Sequence, residues 1–377
     1  AVMPAPAPGR PSIMLHAVAV GEVSALRHLV PILAARCELV LSVGTDTGIK
    51  RARELFAKDC TIVRYPLDFS WSVRRFLDAV KPDAVGLVEL ELWPNFVKEC
   101  ERRGVPVAVV NGRLSERSFK GYRRARSLLS PTFARLKFAA VQDEAYRQRF
   151  VAMGVAAERC TVTGSMKWDA ATIASTVDGA EELAREMGID RSRPLVVAGS
   201  TAEDEEALLH AACPPGAQLL CAPRKPEHFD EAASAMKGCV RRSERRAGAP
   251  GTNRFVLDTI GELRKAYALA DVVVMGRSFG SLYGSDPIEP AALGKPVVIG
   301  PMVKDFQSIV ETMDAADAIV RTTREKLGVD LARLITDGAI RIGLATSGVA
   351  CVRANQGASA RHAQMLLSLP GRPATAR

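Results

Sequence analysis

The chain is expected to be an α/β protein made of two Rossmann-like domains whose parallel sheets face a central cleft. Three observations lead there. Short apolar runs alternate with amphipathic stretches along nearly all of its 377 residues, the pattern of βαβ units and a parallel sheet. A hydrophilic, Ala-rich passage over 169–190 interrupts the alternation. The length suits two domains of ordinary size, so residues 1–170 and 171–377 are read as one domain each.

In the first domain the candidate strands are 13–18, 38–43, 61–65, 84–88, 105–110, 138–141 and 159–162, with helical patterns such as 24–35 and 71–80 between them. In the second, 194–199, 218–222, 254–257, 271–275 and 296–299 read as strands, and 202–212, 226–237, 261–270 and 290–294 as helices. A last helix near 357–367 is free to pack on either domain. There is no internal repeat and no GxxxxGK[ST] phosphate loop, which disfavours a P-loop nucleotidase.

Apolar content of 47% and charged content of 25% are those of a globular protein. The net charge of +9 is unevenly placed: residues 1–170 hold 26 Lys/Arg against 17 Asp/Glu, and the remaining 25 and 25 cancel. The excess is densest over 113–126, where six basic residues face the single acid Glu116. An anionic partner for the first domain follows. Phe119 and Tyr122 are the only aromatic residues in that run, too few for a base-stacking platform, so nucleic acid is not expected. Eight cysteines are scattered without a CxxC pair, which argues against a disulfide framework and for a reducing compartment. The five histidines show no HExxH or similar spacing, so a metal enzyme is not expected; no cofactor is expected either. No apolar run reaches the roughly 18 residues of a membrane span, and the Pro/Ala-rich stretch 1–12 lacks a signal-peptide core.

Two segments carry the chemistry. His16-Ala17-Val18-Ala19-Val20-Gly21-Glu22 and Glu89-Leu90-Glu91-Leu92-Trp93-Pro94-Asn95 each put acids at the end of an apolar run. In open α/β sheets ligands sit outside the carboxyl ends of the strands, so acids arriving there from separate strands suit acid/base work. Each Glu also suits an ordinary first helical turn, which the helix dipole favours. His16, inside a strand, reads as a hydrogen-bonded core residue. The second domain offers Gly276-Arg277-Ser278-Phe279-Gly280, continuing to Asp286-Pro287-Ile288-Glu289-Pro290. This Gly/Ser-rich loop ends in an acid at a helix start, which suits the phosphate and ribose of a nucleotide sugar. Pro223-Arg224 closes another strand and offers a guanidinium to phosphate.

At these motifs the chain resembles the 3-deoxy-D-manno-octulosonic acid (Kdo) transferases of lipid A assembly. The family's H-[AS]-V-S-V-G-E is matched by His16–Glu22 with Ala19 for Ser, and its E-T-E-L-W-P-N by Glu89–Asn95 with Leu90 for Thr. N-[AG]-R-L-S-E-R-S-F is matched by Asn111–Phe119, and G-N-L-K-[FW]-D by Gly164–Asp169 with Ser165 and Met166 exchanged in. A-P-R falls at Ala222–Arg224, D-T-x-G-E-L at Asp258–Leu263, and P-L-E-P at Pro287–Pro290 with Ile288 for Leu.

The resemblance implies a GT-B fold, acceptor domain first and CMP-sugar domain second, and metal-independent transfer of Kdo from CMP-Kdo to a lipid A precursor (lipid IVA) with inversion. By position, Glu22 would be the general base, with Glu89 and Lys167 stabilising the transition state. Pro223, Arg224, Gly261, Glu262, Ser278, Asp286, Pro287, Ile288 and Glu289 would hold CMP. Arg113, Arg117, Lys120, Arg123 and Arg124 would meet lipid phosphates and the anionic membrane surface. The implied location is the cytoplasmic face of the inner membrane, peripheral or through a helix missing from this sequence. Tyr283-Gly284-Ser285-Asp286 stands where the family usually has G-G-H-N, and an acid at 286 would repel phosphate if it pointed there. Two rivals remain at this stage: a GT-B enzyme of another nucleotide sugar, and a silent lipid-binding homologue.

Overall fold

The computed structural model describes residues 10–369; residues 1–9 of the Pro/Ala-rich stretch lie outside them. Two compact units divide the described residues: one takes those up to Ala170 together with those from Asn355, the other is Ala171–Ala354. The second unit thus ends before the last helix, rather than at residue 377.

The first unit is a seven-stranded parallel sheet, β1 (Ser12–Ala17), β2 (Glu38–Val43), β3 (Thr61–Arg64), β4 (Ala84–Val88), β5 (Val107–Gly112), β6 (Phe138–Val141) and β7 (Cys160–Val162), ordered β3-β2-β1-β4-β5-β6-β7. The order reverses between β1 and β4, which are themselves paired. The central strands are mostly apolar and buried because helices cover both faces, while the edge strands β3 and β7 are partly exposed. Along β1, Ile13, Leu15 and Ala17 enter one core and Met14 the other.

The second unit repeats the plan with β8 (Leu195–Thr201), β9 (Gln218–Pro223), β10 (Val240–Arg241), β11 (Arg254–Val256), β12 (Val272–Met275), β13 (Val297–Ile299) and β14 (Val320–Arg321). Their order is β10-β11-β9-β8-β12-β13-β14, all parallel, with the reversal between β8 and β12.

Three features depart from the sequence expectation. β10 and β14 are two-residue edge strands too short to leave a pattern. The helix expected over 24–35 is two, Val20–Ala25 and Leu29–Ala34. Pro31 is the cause: a new start at Leu29 places it in a first turn, where its missing N–H costs nothing. The helix Gly338–Asn355 was not anticipated. The last helix, Ala358–Leu367, packs on the first unit, burying Ala358, Ala363 and Leu366 with Ile13 and Leu15. Gly86 permits this approach, since a Cβ there would lie 2.8 Å from Leu15 Cδ2 and 3.1 Å from Leu366 Cδ2. All eight cysteines are free, and burial pushes thiols such as Cys37 up to about 11, leaving them as small hydrophobes.

Candidate active site

In the first unit the acids gather at the reversal point. Glu22 lies in the first turn of Val20–Ala25, directly after β1. The Val18 N–H donates to its Oε2 at 2.8 Å, and the Thr45 hydroxyl fixes the same loop by donating to Val18 O at 2.8 Å. Burial pushes the Glu22 carboxyl up to about 7; the Val18 bond opposes this, and the charges of Glu91 and Glu89 add to it. A base with that pKa is half ionised near neutrality and returns its proton readily.

Glu89 directly follows β4 in a left-handed conformation, φ +56°, with its N–H donating to Val110 O at 3.0 Å. Burial raises its pKa, against the pull of Arg113 and Lys167. Glu91 is raised by burial too, though the Trp93 indole donates to its Oε2 at 3.1 Å. Glu91 is a site residue that sequence reasoning quoted but did not select. The loop carrying Lys167 is held from beneath: Asn111 Oδ1 accepts from Met166 N–H at 3.0 Å, and the Asp169 carboxylate accepts from Gly357 and Ser359 N–H, each at 2.6 Å. The Asn111 N–H in turn donates to His362 Nε2 at 2.8 Å. The structure therefore brings Glu22, Glu89, Lys167 and Arg113 into one electrostatic neighbourhood.

His16 is fully buried, with Nδ1 3.2 Å from Ser42 O, and burial lowers its pKa to about 4, so it is neutral. It stacks on Tyr65 at 3.8 Å, which in turn meets Trp93 and Phe96. Asp68 caps the helix Pro94–Arg102, accepting from Asn95 N–H at 3.0 Å and Phe96 N–H at 2.8 Å. The Trp-Pro-Asn motif thus locks the loop 65–69 beside the acids.

Among the five basic residues expected to meet lipid phosphate, only Arg113 bears on a site carboxylate. Arg117, Lys120, Arg123 and Arg124 stand exposed on Glu116–Arg124, a helix that buries no residue. Lys120 pairs with Glu116 at 2.7 Å. Leu67, Phe69, Trp71 and Leu128 of the same unit are also exposed, Leu128 by 76%.

The second unit has its own site at the β8/β12 reversal. Glu205, fully buried, accepts from three backbone N–H groups: Ala202 at 3.0 Å, Arg277 at 2.6 Å and Phe279 at 3.0 Å. Its carboxylate ties the loop after β8 to the loop after β12. Gly276 is required between them, since a Cβ there would lie 2.5 Å from Ser200 O. These loops wall a cavity of about 630 Å³ that also receives Arg224, Lys225, His228 and Arg324. Glu205, Arg277 and Arg324 were not selected from sequence; an acid in the first turn after β8 was the available signal for the first.

Of the residues expected to hold CMP, only Arg224 lines this cavity. Pro223 ends β9, and the Arg224 N–H donates to Thr201 O at 2.9 Å. Glu262 is engaged by Arg242, at 3.0 and 3.2 Å, and by the Thr259 hydroxyl at 2.7 Å, bonds that hold its carboxyl below the usual range. Gly261 beside it turns the chain with φ +95°. Ser278 is corrected to a structural role: it is fully buried, its hydroxyl donating to Met275 O at 2.6 Å and accepting from Gly300 N–H at 2.8 Å. Pro287 and Ile288 are buried as well, which leaves them only backbone to offer. Asp286, one residue before the N-cap Pro287, accepts from Ile288 N–H at 2.9 Å, so the unexpected acid holds the first N–H of the short helix Ile288–Ala292. Glu289 pairs with Arg264 at 3.4 Å. The charges of Glu289, Asp286 and Arg224 all bear on the buried Tyr267 phenol, whose pKa is raised chiefly by burial. Among the described residues no three His, Cys, Asp or Glu side chains cluster as metal ligands, and no single helix is long and apolar enough to cross a membrane.

Two parallel seven-stranded α/β units are those of the GT-B fold. A glycosyltransferase from Rickettsia africae ESF-5 superposes with a TM-score of 0.65 at 11% identity, covering 96% of this chain and 100% of the other. A UDP-GlcNAc 2-epimerase from Neisseria meningitidis, solved with UDP-GlcNAc, gives 0.64 at 12%, over 95% and 100%. These likenesses establish the fold. Residues 2–170 match the family described as 3-Deoxy-D-manno-octulosonic-acid transferase (kdotransferase). The 3-deoxy-D-manno-octulosonic acid transferase of Bordetella pertussis is 33% identical over 380 residues, 95% of this chain and 87% of that one. The Haemophilus influenzae enzyme of the same description is 30% identical over 353 residues, 84% of this chain and 81% of that one. The chain belongs to the 3-deoxy-D-manno-octulosonic acid transferases and is a glycosyltransferase.

Proposed function

We propose that this enzyme moves Kdo from CMP-Kdo to a lipid A precursor, lipid IVA, with inversion at the anomeric carbon. The observation that carries the mechanism is Glu22, whose carboxyl is pushed up to about 7 while Glu89, Arg113 and Lys167 crowd the same strand ends. Glu22 takes the proton of the acceptor hydroxyl as its oxygen bonds to the anomeric carbon. The bond from that carbon to the phosphate oxygen breaks on the opposite face, and CMP leaves with the electron pair. One displacement gives inversion. Carboxylate near the oxocarbenium-like centre stabilises it, as in glycoside hydrolysis, and Lys167 balances the charge on Glu89.

Pro223, Arg224, Gly261, Glu262 and the backbone of Asp286–Glu289 hold the nucleotide in this reading. Arg117, Lys120, Arg123 and Arg124 meet lipid phosphates and an anionic leaflet, with the exposed Leu67, Phe69 and Trp71 entering its interface. The enzyme acts at the cytoplasmic face of the inner membrane.

The test is transfer from freshly generated CMP-Kdo to a tetra-acylated lipid A precursor, read by mass spectrometry of the lipid. One or more Kdo mass increments are expected. No product, with CMP still raising the melting temperature, would move the assignment to another sugar or acceptor. No product and no CMP binding would leave the silent-homologue reading.

A further inference from the structure

We propose that Arg277 is a specificity-determining residue that grips the carboxylate of the donor sugar, separately from the group that grips the phosphate. This rests on the reading above, in which the donor carries two anionic groups: a phosphodiester and the carboxylate of an ulosonic acid.

Arg277 sits at the first turn out of β12, at the reversal point where open sheets bind ligands, and lines the cavity of about 630 Å³. Its backbone is left-handed, φ +60°, a conformation that glycine adopts freely and a long side chain only at an energetic cost. Glu205 enforces it, with the Arg277 and Phe279 N–H groups both donating to that carboxylate. Ser200 and Asp204, on the facing loop, are left-handed too, φ +57° and +67°. Strain of this kind persists where the surroundings over-determine it and gathers at functional sites.

Charge in the cavity is already partly satisfied. Glu205 is consumed by backbone, Glu203 lies 3.3 Å from His228, and Arg324 Nη1 donates to Phe279 O at 3.0 Å. The guanidiniums of Arg224 and Arg277 make no hydrogen bond or ion pair among the described residues. Two open forks therefore face a ligand with two anions, and a planar carboxylate matches a fork in a bidentate way. Arg224, at the end of β9, is the fork assigned to the phosphate, which leaves Arg277 for the carboxylate. Asp204 on the same wall accepts from sugar hydroxyls.

Arg277→Gly separates the possibilities in the full-length protein. The glycine suits the backbone, so its melting temperature is expected to equal or exceed that of the wild type. The KM for CMP-Kdo should rise roughly 10- to 100-fold, while the inhibition constant of CMP, which has no sugar carboxylate, stays within about twofold. Arg277→Lys should recover part of the loss, since it keeps the charge and loses the fork. A parallel rise of the CMP constant would place Arg277 on the phosphate and overturn the proposal; an unchanged KM would overturn it as a solvated side chain. A wild-type protein that neither uses CMP-Kdo nor is inhibited by CMP would sink the functional reading and this inference with it.

Discussion

The two units are both seven-stranded parallel sheets in which the strand order reverses near the middle, yet they use carboxylates in opposite ways. In the first, Glu22, Glu89 and Glu91 are half-buried near one another with too few partners to offset the desolvation, and all three are raised. In the second, Glu205 is saturated by three backbone N–H groups and Glu262 by Arg242 and Thr259. That leaves the guanidiniums of Arg224 and Arg277 open to an anion. One site is poised to move a proton; the other is poised to hold anions. Local partner supply, and not the fold, sets this difference.

The sharpest way to break the contrast is to neutralise one acid in each unit. Glu22→Gln is expected to lower kcat by roughly 10²- to 10⁴-fold, the usual share of a general base, with the inhibition constant of CMP within a few-fold, because the base acts in the transition state. Glu205→Ala should instead act on folding. It strands the N–H groups of Ala202, Arg277 and Phe279, the last of them buried, at about 3 kcal/mol of stability, measured by denaturant unfolding. A Glu205→Ala protein that melts like the wild type would contradict its role as a fastener.

The pH dependence of stability sharpens the comparison further. Glu22 has a folded pKa of about 7 against an ordinary 4.5, so the folded state binds more protons than the unfolded state between those values. Its favourable contribution is complete below pH 4.5 and is lost as pH rises through 7. Glu22→Gln never ionises and keeps the Val18 N–H bonded, so it should be more stable than the wild type at pH 8 by about 2 kcal/mol after allowance for partial exposure. At pH 4 the two should melt alike. The smallest effect belongs to the exposed helix: each of Arg117→Ala, Arg123→Ala and Arg124→Ala should weaken binding to phosphatidylglycerol vesicles by about 1 kcal/mol, and binding that ignores all three would remove that helix from the membrane reading.

Much of this arrangement was legible in the chain. β1 and β4 are buried on both faces and read as apolar runs, interrupted within β1 by His16, so the acids after them could be placed at strand ends without a structure. Lys167 was reached only through resemblance, since nothing in Gly164–Asp169 announces that Asn111 and Asp169 pin the loop. Other features were hidden for physical reasons. Gly338–Asn355 mixes Gly, Ser, Thr and β-branched residues and buries only Gly348, Cys351 and Val352, which leaves no clear helical period. The last helix joins the first unit through the bond between Asn111 and His362, residues 251 positions apart. Arg277 looked like any residue in a flexible loop, because a backbone dihedral leaves no mark on composition.

The central claim is that burial makes Glu22 a base matched to neutral pH, and the pH profile of kcat/KM for Kdo transfer tests it most directly. The account predicts a rate that climbs with pH along an acidic limb with an apparent pKa of about 7, and a residual rate in Glu22→Gln that has lost that limb. A wild-type profile flat from pH 5.5 to 8, or an unchanged limb in Glu22→Gln, would contradict it.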